Sequence, residues 1–99
     1  MATFIINNKI YDTSKMDLIG NVKKWYEYKG YLFIQLYGKG YGRVCDCTLY
    51  RSKKGNWLLT REDLGVIYGE AITEEEAKKL LMQHDYNAYA KIYGNLEEA

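Results

Sequence analysis

The sequence contains no proline, one histidine, two cysteines and no apolar run near the roughly 18 residues that a membrane-crossing helix needs. Each shortage closes off something. Without proline, turns fall to glycine and asparagine. Cys45 and Cys47 are separated by one residue, so they project from the same side of a strand and close no loop worth closing; reduced thiols and a cytoplasmic location are expected. The start, MATFIINNKIYD, lacks the basic-then-apolar layout of a signal peptide. Zinc wants about four ligands, typically arriving in pairs, and His84 is the only other good nitrogen or sulfur donor. No metal site and no cofactor are expected, and both cysteines read best as small buried hydrophobes.

A chain of 99 residues makes one domain, 1–99, with one modest core. The net charge of +1 hides a polarity: residues 1–61 hold eleven Lys or Arg against four acids, and residues 62–99 hold three Lys against nine acids. Such asymmetry bears on partners, although the two halves can also neutralise each other across the fold. Tyrosine is abundant, with eleven of the fifteen aromatics. That is more than one small core needs, and tyrosine favours interfaces, so a homo-oligomer is expected.

Strands fill the first two thirds and helix the last. TFII and KIYD flank Asn7-Asn8, a hairpin turn; MDLIGNVKKWY alternates; YLFIQLY is apolar on both faces and could pair across a dimer. VCDCTLYR and WLLTR form a hairpin around SKKGN, and VIYGEA follows. ITEEEAKKLLMQH carries a capping box, Thr73 with Glu76, and Asp85 caps YNAYAKIYG, which Gly94 ends. The fold class is α+β: an antiparallel, meander-like sheet of five or six strands with a C-terminal pair of short helices.

The stretch YGKGYGRVCDCTLYR bears most on function. Its glycines, Gly38, Gly40 and Gly42, precede a strand, whereas dinucleotide and phosphate-loop fingerprints need a helix N-terminus to receive the phosphate. KGYG matches the start of an RNA-recognition ribbon, but Arg43 and Asp46 replace two of its aromatics. A Cys45 or Cys47 nucleophile with His84 has no oxyanion loop beside it, so enzyme chemistry is not expected. What remains is a set of rings and cations, Tyr37, Lys39, Tyr41 and Arg43, with Arg51 and Trp57 near in sequence. Rings stack on bases while guanidinium and ammonium groups hold oxyanions, which suits an anionic nucleotide-like ligand.

The order KIYDTSKMDLIG, TLYRSKKGNWLL, ITEEEAKKLL and YNAYAKIYG resembles a group of small, mostly uncharacterised proteins of phages and mobile elements in Gram-positive bacteria. The resemblance covers most of the chain except residues 23–44, and Cys47 stands where the group often has Glu. It implies a phage-type accessory protein that counters host defence. Two readings follow: sequestration of a nucleotide-like small molecule, or inhibition of a host defence nuclease or effector by protein contact, with Glu74, Glu75 and Glu76 mimicking phosphate.

Overall fold

A computed structural model describes residues 2–27, 35, 36, 38 and 40–99. Strands β1 (Thr3–Ile6) and β2 (Lys9–Asp12) form a hairpin about Asn7 and Asn8, both at positive φ (51° and 63°), as the asparagine pair implies. A short 3-10 turn, Thr13–Lys15, leads into β3 (Asp17–Glu27). Then β4 (Gly42–Arg51), β5 (Trp57–Asp63) and β6 (Val66–Ile72) complete an antiparallel sheet in sequential order β3-β4-β5-β6. Helices α1 (Glu74–His84) and α2 (Tyr86–Tyr93) follow.

The architecture is thus α+β, but among the described residues the strands divide into a four-stranded sheet and a separate two-stranded one instead of a single meander. The reason is how the hairpin meets the sheet. It packs by its face: the Phe4 ring fills the place where a Cβ on Gly69 would sit, 2.7 Å from the ring carbons. Ring-over-glycine packing needs no main-chain pairing, so β1 never joins the ladder. The YLFIQLY segment expected as a strand spans residues 31–37, of which only Gln35 and Leu36 are described, and these two have helical backbone.

Two layers bury the core. Alternation along the strands puts Val22, Cys45, Cys47, Leu49, Trp57 and Leu59 on one face, against Ala77, Leu80 and Leu81 of α1 and Ala88 of α2. Leu58 points to the other face, which the hairpin overlies with Phe4 and the buried Tyr11. Thr73 Oγ1 accepts the Glu76 N–H (3.2 Å) and starts α1 as the sequence implies. Asp85 joins three elements. Its N–H donates to Leu81 O at the end of α1, its Oδ1 accepts the Ala88 N–H of α2, and its Oδ2 accepts the Asn21 N–H on the outer edge of β3.

The turn between β5 and β6 is built from Leu64 and Gly65, both at positive φ (51° and 79°). A leucine there bears Cβ strain, and its side chain is 97% exposed, so nothing in the fold offsets it. Leu64→Asn should therefore raise stability by about 0.5 to 1 kcal/mol, seen as a higher urea midpoint at unchanged slope.

Candidate functional site

The helices cover only part of their face of the sheet. Beyond them, at the end where β3 finishes and β4 begins, the strands present Tyr26, Arg43, Arg61, Asp63 and Tyr68 on the same side. Register explains the meeting. Arg61 lies opposite Cys47 on one flank and Tyr68 on the other, while Tyr26 lies two strands away. The cysteines of β4 are small enough for the Tyr26 side chain to reach across them. The Arg61 guanidinium is then held between two rings, 4.2 Å from the Tyr26 centroid and 4.4 Å from that of Tyr68. These three line one shallow concavity with Leu59, Gly69 and Glu70.

Charge around the concavity is mostly paired. Lys24 Nζ donates to Glu70 (2.6 Å) and Glu76 (3.0 Å), tying β3 to β6 and α1. Burial favours the neutral amine, but hydrogen bonds to both carboxylates outweigh it and hold the Lys24 pKa well above the ordinary lysine range. Arg43 pairs with Asp63 at 2.7 Å. Among the described residues, no carboxylate lies within ion-pair distance of Arg61, which makes it the cation here whose charge is left for a ligand.

The residues expected as a clamp do not converge. Tyr37 and Lys39 lie outside the described residues. Tyr41 is exposed at the start of β4, and Arg43 borders the Arg61 cluster. Arg51 and Trp57 sit at the other end of the sheet, eight residues further along β4, roughly 27 Å away at strand rise. Trp57 is 2% exposed, so its ring packs the core under the Arg51 guanidinium (5.4 Å) and cannot stack on a base.

Cys47 and His84 line one concavity with Asn21, Lys23, Asp46 and Thr48. Yet the Cys47 side chain is on the helix-covered face, its thiol bonded to Cys45 O, and burial pushes its pKa up. A raised pKa disfavours the thiolate, the nucleophilic form. Among the described residues no cluster of His, Cys, Asp and Glu is arranged to hold a metal. No helix among them is long and apolar enough to cross a membrane. The acidic run is also partly committed, since Glu76 holds Lys24 and Glu74 accepts from the Tyr93 hydroxyl, leaving Glu75 exposed. Several surplus tyrosines pack α2: Tyr86 stacks on Tyr89, Tyr89 meets Tyr93, and Lys78 lies over Tyr93.

Burial, with Cys47 and Glu70 nearby, pushes the Tyr26 pKa up to about 12. Burial and Glu74 do the same for Tyr93, to about 12. Both values, and that of Lys24, are raised above their unfolded ones. The stability these groups contribute is therefore complete below about pH 10 and lost as pH rises through the folded-state values. Urea unfolding between about pH 8 and 12 should show stability beginning to fall near pH 9, where the thiol of unfolded Cys47 ionises, and falling more steeply above about pH 10, with Tyr26 and Tyr93 titrating late in the folded absorbance titration.

No family model, curated protein or solved structure matches this chain. What its site does must follow from the residues themselves.

Proposed function

We propose that this chain is a non-enzymatic binding protein that sequesters an anionic, nucleotide-like ligand at the Tyr26–Arg61–Tyr68 cluster, the role expected of a phage-type accessory protein that counters host defence. One observation carries the reading: a guanidinium fixed between two tyrosine rings, in a concavity the helices leave open, with no acidic partner among the described residues. A stacked arginine loses little freedom when its N–H edge meets a phosphate, because the rings already fix its plane. Arg43 adds a second cation, which a phosphate would compete for with Asp63. Tyr41, exposed immediately before β4, is the ring assigned to stacking on a base.

The test is to express the protein in bacterial cells with and without phage infection, purify it, denature it, and identify released small molecules by mass spectrometry. A phosphorylated nucleotide-like compound should accompany the wild type and be lost in Arg61→Ala. Release of nothing anionic from the folded wild type in either setting, together with no binding across a nucleotide panel, contradicts the reading.

A further inference from the structure

The outer edge of β3 is complementary to itself. Because the Asn21 N–H points away from β4, toward Asp85, strand alternation turns the main-chain groups of Lys23, Trp25 and Glu27 outward too. Among the described residues these three N–H groups have no hydrogen-bond partner. The five residues Lys23, Lys24, Trp25, Tyr26 and Glu27 contain no proline or glycine to interrupt pairing. Trp25 is 52% exposed, with its ring laid over Gly42 of β4 next to the exposed Val44, so it does not cover this edge.

We infer that two copies of this chain pair antiparallel through β3, centred on Trp25, to form one continuous eight-stranded sheet. In that register Lys23 faces Glu27 of the partner subunit, Glu27 faces the partner's Lys23, and the two Trp25 main chains pair on the axis. On the opposite face, Lys24 comes beside the partner's Tyr26. All outward main-chain groups from Lys23 to Glu27 are satisfied at once, by about six hydrogen bonds. The alternative centre, Lys23, opposes two like charges and needs the Asn21 N–H that Asp85 already holds.

Lysine on a strand edge usually discourages pairing. Here Lys24 is turned to the helix side and held by Glu70 and Glu76, while Lys23 has only an exposed contact of 3.8 Å with Asp46 to give up. Glu27 accepts from the Gly40 N–H (3.0 Å) with one oxygen, and its other oxygen can meet a lysine. The pairing does not depend on the nucleotide reading, since no residue of the Arg61 concavity except Tyr26 lies on this edge.

Charge exchange tests it. In sedimentation equilibrium the wild type should run at twice 11.6 kDa. Lys23→Glu alone and Glu27→Lys alone each oppose like charges twice, and each should weaken the dimer about tenfold or more. The double variant, Lys23→Glu with Glu27→Lys, restores opposite pairs and should recover wild-type affinity. Amide exchange at Lys23, Trp25 and Glu27 should slow as protein concentration rises. Circular dichroism of each variant shows that its fold is kept. A wild type that stays monomeric at every concentration overturns the inference. So does a dimer indifferent to the single reversals, or one in which these amides exchange as fast as in the monomer.

Discussion

Leu81→Ala should cost about 3 to 5 kcal/mol of folding stability and lower the melting temperature by roughly 15 to 30 °C. Leu81 has no exposed surface and belongs to the core cluster that α1 shares with Leu49, Leu59 and Trp57 of the sheet. Truncating it removes the transfer free energy of its methyl groups and leaves a cavity in a core of about a dozen buried side chains. Domains of this size have about 5 to 15 kcal/mol in total, so the variant should stand close to its unfolding threshold. Met82→Ala, on the exposed side of the same helix, is the control and should change little. Thermal melts of the two variants beside the wild type decide whether the core lies under α1.

Arg61→Ala should weaken nucleotide binding by roughly 1.5 to 3 kcal/mol, about 10- to 150-fold, while the protein stays folded. The alanine loses both the charge and the planar donor edge. Arg61→Lys keeps the charge but neither the two-ring stack nor the forked donors, and should recover only a small part. Tyr68→Phe keeps the ring that orients Arg61 and should bind nearly as the wild type does. Calorimetry on this series separates an oriented guanidinium from a mere positive charge: equal affinity in the lysine and wild-type proteins would mean that the stack contributes nothing.

Local chemistry made part of this legible in the sequence. Asn7-Asn8, Thr73, Asp85 and Gly94 each act through neighbours within a few residues, so turns, caps and helix ends could be read off. The hairpin's separation from the main sheet could not, because it depends on Phe4 meeting Gly69 sixty-five residues later. The site shows the same division. Arg61 facing Tyr68 was accessible in principle, since a two-residue turn at Leu64-Gly65 fixes that register. Tyr26 was not, because it reaches Arg61 across a whole strand, over cysteines whose small size matters more than their chemistry. Grouping Arg43 with Arg51 and Trp57 followed nearness in sequence, which an extended strand converts into distance.

The most direct measurement is an NMR titration of the wild type with nucleoside monophosphates and cyclic nucleotides, following the Arg61 guanidinium and the ring protons of Tyr26, Tyr68 and Tyr41. Saturable shifts concentrated on Arg61, Tyr26 and Tyr68, absent in Arg61→Ala, are the predicted result. Saturation that leaves Arg61 unmoved, or no shift with any nucleotide in the panel, would contradict the account.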